Sequence, residues 1–140
     1  MPHEDPAARR PSEPWHSFLT DLDAALGGVA DFHCIGGFVV SQYYGFAREM
    51  ADLDVLTVIP AETAQRIAGL AGRDSPLQKK HRVYVDRVGV ANYPEDYETR
   101  LVRVFPFWPN LRLWALEPHD LALTKLERSN DRDIRDVMYL

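Results

Sequence analysis

The chain has 140 residues, 46% of them hydrophobic and 11% aromatic, which is enough apolar content for one domain with its own core. Its formal charge of -5 argues against binding nucleic acid by bulk electrostatics, so that any such partner would have to be held by a local basic patch. A single cysteine excludes an internal disulfide framework, and the absence of an apolar run of roughly 20 residues or of a signal-peptide pattern predicts a cytoplasmic protein without membrane contact.

The first third of the chain predicts a tail, a helix, a strand and a second helix. Residues 1–13 lack apolar periodicity and are interrupted by prolines, so we expect a flexible tail there and a single domain over 14–140. A helix is predicted from Pro14 to the stop at Gly27-Gly28. Its apolar residues recur at helical spacing: Trp15, Phe18, Leu19, Leu22, Ala25 and Leu26. A strand over 32–35 then runs through Gly36-Gly37 into a helix over 38–44.

The remainder alternates between strands and helices. A strand over 53–59, without clean alternation, predicts burial on both faces and stops at Pro60; a helix follows over 61–71. The pattern predicts further strands over 83–90 and 111–116, with a short helical turn near 95–101 and otherwise no regular structure over 91–110. A helix opens at Pro118 and another at about residue 131. The fold class is therefore α/β, a short mixed sheet flanked by helices.

Two acids at the start of the apolar strand are the strongest chemical signal. Side chains of a strand alternate, so Asp52 and Asp54 would point to the same face, where two carboxylates can hold one divalent metal. Gly36-Gly37, between a strand and a helix, would let backbone N-H groups approach a phosphate. Asp86, inside the next strand pattern, would add a third ligand for Mg2+ or Mn2+.

With these residues the sequence resembles the nucleotidyltransferase superfamily with the DNA polymerase beta type of core. The matching residues are Ile35-Gly36-Gly37 and Asp52-Leu53-Asp54-Val55. It is also similar to small bacterial nucleotidyltransferase-like proteins of unassigned function related to abortive-infection toxins. That likeness adds Arg48 before the acids and a late segment that reads Leu116-Glu117-Pro118-His119-Asp120-Leu121, Lys125-Leu126, Arg128 and Arg132-Asp133-Ile134-Arg135-Asp136.

The resemblance implies a role for each matching position. Gly36 and Gly37 would lie against the phosphates of a nucleoside triphosphate (NTP), with Arg48 and Lys125 as further nucleotide-binding residues. The paired acids Asp52 and Asp54, with Asp86, would bind the metal. Lys125 would also stabilise the departing pyrophosphate.

Several of these residues have a simpler interpretation. Asp86 lies between Arg82 and Arg87, and a surface ion pair is an equal alternative to a metal role. Glycine doublets also mark ordinary turns, and Lys125 and Arg128 also fit a solvated helix face. No two histidines have zinc-ligand spacing with Cys34, so we expect no zinc site and a buried, inert thiol. The aromatic group Phe105, Phe107, Trp108 and Trp114 is expected in the core or at a partner contact.

Two functions of different classes remain open from sequence, with an inactive structural domain as a third and weaker alternative. The first is Mg2+-dependent transfer of a nucleoside monophosphate from NTP to an acceptor hydroxyl on RNA, protein or a small molecule. The second is a non-catalytic module that binds a nucleotide or a protein, as one half of a toxin-antitoxin pair with an antitoxin-like partner. The presence of Asp86 beside the other two acids would favour the first.

Overall fold

The computed structural model describes residues 10–36, 38–43, 51–88, 96–117 and 120. Five strands lie within these ranges: β1 Ala30–Ile35, β2 Asp52–Ile59, β3 Tyr84–Arg87, β4 Val102–Val104 and β5 Leu111–Ala115. The α-helices are α1 Trp15–Leu26, α2 Ala61–Ala71 and α3 Pro76–His81. A π-helix spans Val39–Tyr43 and a 3-10 turn spans Tyr97–Arg100.

The strands form one mixed sheet in the order β3-β2-β1-β5-β4. The central strand β1 is antiparallel to β2 and parallel to β5. At one edge β3 runs parallel to β2, and at the other β4 runs antiparallel to β5. This mixed sheet with flanking helices confirms the predicted α/β fold class.

One face of the sheet is covered by helices. Helix α1 packs against β5, and α2 packs against β2 and β3. The strands contribute fully buried apolar side chains to this core, among them Phe32, Cys34, Leu53, Val55, Leu111 and Leu113. Fully burying a large aliphatic or aromatic side chain contributes about 1.5 to 3 kcal/mol, so this layer supplies most of the driving force for folding.

Polar contacts fix α1 against the start of β5. The buried carboxylate of Asp23 accepts hydrogen bonds from the backbone N-H groups of Asn110 (2.8 Å) and Leu111 (2.7 Å). The indole N-H of Trp108 donates to Thr20 Oγ1 at 3.0 Å. Because these bonds join residues almost 90 positions apart, they set the position of the helix along the sheet.

The described segment 96–101, directly before β4, packs on the opposite face of the sheet. In this segment Tyr97 is buried, and its hydroxyl lies 2.9 Å from His33 Nδ1 on β1 and 3.3 Å from Thr57 Oγ1 on β2. Burial lowers the pKa of His33, although the carboxylates of Glu98 and Asp31 act in the other direction. The imidazole is therefore neutral near pH 7 and anchors the segment 96–101 to the middle of the sheet.

Most predicted elements are confirmed, including the helices that end at Leu26 and Ala71 and the strand that carries the paired acids. The predicted helix after the glycine doublet is a π-helix, and the strand predicted over 83–90 is described only as Tyr84–Arg87. Helix α3 and strand β4 were not predicted. The helices expected from Pro118 and from about residue 131 lie outside the described residues, apart from Asp120, which is helical.

The residues of the aromatic group expected in the core or at a partner contact have different environments. Phe105 and Trp108 belong to the core, whereas Phe107 is 44% exposed. Among the described residues, no helix combines the length and the apolar character needed to cross a membrane. The division into a tail over 1–13 and one domain over 14–140 stays a prediction.

Candidate active site

Asp52 and Asp54 lie at the beginning of β2, two positions apart. Asp54 is only 8% exposed and Asp52 is half-buried. The residue between them, Leu53, is fully buried in the core on the helix side. Because side chains alternate along a strand, burial of Leu53 on one face directs both carboxylates to the other.

Asp86 joins this pair from the edge strand. Residues Asp54 and Asp86 are partners in the parallel ladder between β2 and β3, so their side chains share a face. One carboxylate oxygen from each of Asp52, Asp54 and Asp86 lies within 4.8 Å of the others. We call these three residues the aspartate triad.

The alternative for Asp86, an ion pair with a flanking arginine, is not found. The guanidinium of Arg87 donates to the backbone carbonyl of Ala64 at 3.3 Å, and no ion pair joins Asp86 to Arg82 or Arg87. Nor does any other described residue donate a hydrogen bond to the side chain of Asp52 or Asp86. Among the described residues, the charged neighbours of half-buried Asp86 are therefore Asp52 and Asp54 and not an arginine.

Gly36 is required by the position of the triad. It follows the β1 residue that pairs with Asp54, and its φ of +84° lies in the left-handed region. A Cβ atom at this position would lie 2.5 Å from Asp54 Oδ2 and 3.2 Å from Asp54 Cβ. Glycine therefore provides both the turn and the space that the carboxylate of Asp54 occupies.

The charge and chemistry of the triad fit a hard divalent cation. Two unit charges 4.8 Å apart repel by about 1 kcal/mol in bulk water and by roughly 3.5 kcal/mol at an effective dielectric constant of about 20. Three such pairs within one cluster are unfavourable unless a cation or protons offset them. The ligand atoms are all carboxylate oxygens, which Mg2+ and Mn2+ prefer, and none is the sulfur or imidazole typical of zinc sites.

Some predicted site residues lie outside the described residues, namely Gly37, Arg48 and Lys125. Their roles stay predictions. Cys34 is fully buried, and burial raises the pKa of its thiol far above the usual range, which agrees with an inert side chain.

One residue of the late sequence segment is placed by an ion pair. The carboxylate of Asp120, 4% exposed, accepts hydrogen bonds from Arg100 Nε at 2.9 Å and Nη2 at 3.0 Å. Arg100 also binds Asp96 at 2.9 Å. This bidentate pair ties Asp120 of the late segment to Arg100, at the end of the 3-10 turn before β4.

A second group, which was not predicted from the sequence, lies next to the triad. Tyr84 is the ladder partner of Asp52 and lies two residues before Asp86, so its ring shares the face of the triad. The guanidinium carbon of Arg73, from the loop between α2 and α3, lies 5.2 Å from the centre of that ring. The signal available in the sequence was the spacing of two between Tyr84 and Asp86 on a predicted strand.

Comparison with known proteins agrees with this geometry. Residues 22–139 match the model of a family described as nucleotidyltransferase of unknown function (DUF6036). No curated protein and no solved structure gives a significant match. The family match covers well over half of the chain, and the chain therefore belongs to this nucleotidyltransferase family.

Proposed function

We propose that this member of the nucleotidyltransferase family transfers a nucleoside monophosphate from an NTP to an acceptor hydroxyl in a reaction that depends on Mg2+ or Mn2+. The observation that carries the proposal is the convergence of three carboxylates within 4.8 Å on one face of the sheet. Family membership supports the class of reaction. The acceptor oxygen forms a bond to the α-phosphorus, the bond from that phosphorus to the bridging oxygen breaks, and pyrophosphate leaves.

The residues of the triad hold the metal in this proposal. Bound divalent cations supply positive charge that neutralises phosphate oxygens and favours ionisation of the attacking hydroxyl. Asp52 and Asp54, on an interior strand, give a rigid pair of ligands, and Asp86 completes the set from β3. The proton of the acceptor hydroxyl passes to a carboxylate of the triad or to water.

The nucleotide would lie on the β1 side of the triad. By resemblance, the phosphates lie against the glycine doublet, in which Gly36 is itself buried with the Asp54 carboxylate beside it. Gly37 would then make the phosphate contact, and Arg48 and Lys125 would contribute positive charge to the phosphates. Lys125 would also stabilise the charge that develops on the departing pyrophosphate.

The experiment is a turnover assay with each of the four NTPs, labelled at the α-phosphate, together with a mixed pool of RNA, protein and small hydroxyl acceptors. We expect Asp86→Asn to lower turnover at least about 100-fold, since it removes one charged ligand from the metal site. The matched control is Glu62→Gln, the same loss of one carboxylate charge at an exposed position in the first turn of α2. It should leave turnover within about twofold.

Two outcomes would contradict the proposal. One is that the wild-type chain consumes no triphosphate under any of these conditions while it binds Mn2+. The other is that Asp86→Asn retains wild-type turnover. Nucleotide binding without turnover would instead favour the non-catalytic binding module.

A further inference from the structure

The triad has different surroundings on its two sides. On the β1 side the carboxylate of Asp54 lies against buried Gly36, in the space that a side chain would fill. On the β3 side Tyr84 stands beside Asp52 in the ladder, with the guanidinium of Arg73 over its ring. Because β2 lies between β1 and β3, a nucleotide bound at the glycine leaves the tyrosine side for a second substrate.

The chain around Tyr84 carries a local excess of positive charge. Residues 73–87 hold five of the 16 Lys and Arg residues but only two of the 21 acids, one of which is Asp86 of the triad. Two of the five cations have partners: Lys80 binds Asp21 at 2.9 Å, and Arg87 binds a backbone carbonyl. The others, which no carboxylate among the described residues pairs with, are Arg73, Lys79 and Arg82.

All three of these cations are exposed. The remainder of the chain is strongly acidic, since the net charge is -5 in spite of this basic segment. A polyanion would therefore be repelled from most of the surface. Beside Tyr84 the guanidinium of Arg73 offers it a positive charge, once a divalent cation offsets the three carboxylates of the triad.

We propose that Tyr84 and Arg73, with Arg82 two residues before Tyr84 in the chain, bind a single-stranded nucleic acid whose terminal or internal hydroxyl is the acceptor. This inference rests on the proposed function and names its acceptor class. A base stacks on the Arg73 guanidinium, which lies over the Tyr84 ring, and Arg82 binds a backbone phosphate. A single strand fits because its bases are free to stack, whereas those of a duplex are paired.

The test measures binding of a fluorescently labelled single-stranded RNA of about ten nucleotides by anisotropy, with Mg2+ present and without triphosphate. Arg73→Ala and Tyr84→Leu should each raise the Kd by roughly 5- to 100-fold, the range for loss of one stacking contact. Arg73→Ala should also reduce the slope of log K against log salt by about 0.7, the value for one phosphate contact on a single strand.

Two further variants separate the stacking contact from bulk charge. Arg66→Ala removes one exposed positive charge from α2, where the guanidinium donates to the carbonyl of Leu26 at 3.0 Å and has no contact with Tyr84, and should change the Kd less than about twofold. Arg73→Lys keeps the charge but loses the planar group, so its Kd should fall between those of Arg73→Ala and the wild type. Arg73 is an exposed loop residue, so its variants keep the test decisive if Tyr84→Leu fails to fold.

Equal losses in Arg66→Ala and Arg73→Ala, or unchanged binding in both Arg73→Ala and Tyr84→Leu, would overturn the inference. The assays distinguish failure of the proposed nucleic-acid acceptor from failure of the proposed nucleotidyl transfer. Transfer to a protein or a small hydroxyl compound without RNA binding refutes the acceptor class and leaves nucleotidyl transfer standing. RNA binding that depends on Tyr84, with no triphosphate consumed, supports this surface and refutes the catalytic proposal.

Discussion

Replacement of Gly36 by alanine tests whether this glycine is present for the triad. Its φ of +84° makes any other residue strained, and the new Cβ would lie 2.5 Å from Asp54 Oδ2. Gly27 provides the matched control, because its φ is +76° and a Cβ there would have no neighbour within 4 Å. Gly27→Ala therefore measures the conformational strain alone, and Gly36→Ala measures strain together with displacement of the carboxylate.

The two effects have different magnitudes and appear in different measurements. Left-handed backbone at a residue with a Cβ costs about 1 to 2 kcal/mol, and this cost applies to both variants. Asp54 can relieve its contact by turning away, at an additional cost of about 0.5 to 1.5 kcal/mol for an unfavourable rotamer. The free energy of unfolding should thus differ only modestly between the two variants. The affinity for metal should fall about 10- to 100-fold in Gly36→Ala alone, because Asp54 no longer faces its two partners.

Urea unfolding gives the stability of each variant, and titration with Mn2+ followed by its paramagnetic signal gives the metal affinity. We expect Gly27→Ala to bind Mn2+ as the wild type does. The reasoning would be refuted if Gly36→Ala retained wild-type Mn2+ affinity, or if Gly27→Ala lost as much affinity as Gly36→Ala.

Three further predictions concern the polar contacts of the fold. Burial opposes ionisation of Asp31, but hydrogen bonds from Arg112 (2.7 Å) and Trp114 (2.9 Å) outweigh it and lower the pKa of this carboxyl. Asp31→Asn should therefore cost about 1 to 3 kcal/mol in urea unfolding at pH 7, a difference from wild type that shrinks as the pH falls below about 4. Burial lowers the pKa of His33 in the folded protein, so the unfolded chain binds a proton at a higher pH than the folded chain does. The wild type should therefore lose stability as the pH falls below about 6.5. His33→Gln should lack this pH dependence, and an equal slope in both proteins between pH 7 and 5 would contradict the argument. Asp23→Ala leaves two backbone N-H groups without their acceptor and should lower the thermal midpoint, at a cost of about 2 to 3 kcal/mol; an unchanged midpoint would show that other groups replace the carboxylate.

Local patterns in the sequence were sufficient for the elements with strong apolar character. Helix α1 has its apolar stripe between a proline and a glycine pair, and α2 begins directly after Pro60. Helix α3 was missed because its six residues, Pro76–His81, are mostly polar and show no apolar period. A local signal was nevertheless present: Ser75 accepts a hydrogen bond from the N-H of Gln78, with proline at the first helical position.

Local sequence patterns could not predict which strands pair with each other or in which register. Strand β4 has three residues and exists through its ladder with β5, so neither its length nor its composition distinguishes it from a loop. The same holds for the third acid of the site. The sequence placed Asp86 in a strand between two arginines, but only the register of β3 on β2 shows that it faces Asp54. The paired acids on β2, by contrast, follow from strand alternation alone.

The position of Asp86 on an edge strand makes metal affinity depend on how often that strand is formed. Within the described sheet, β3 has a single neighbour, β2, and the ladder between them extends to bonds from the N-H groups of Tyr84 and Val88. A metal held by the triad would bind with full strength only while these hydrogen bonds are formed, so a ladder formed half of the time would weaken the apparent affinity about twofold. By the same linkage, metal would protect the two amide protons from exchange with solvent, and so would any ligand that rests on Tyr84. Metal binding and closure of this edge of the sheet would then be one coupled equilibrium, in which a substrate that closes the strand also recruits the metal.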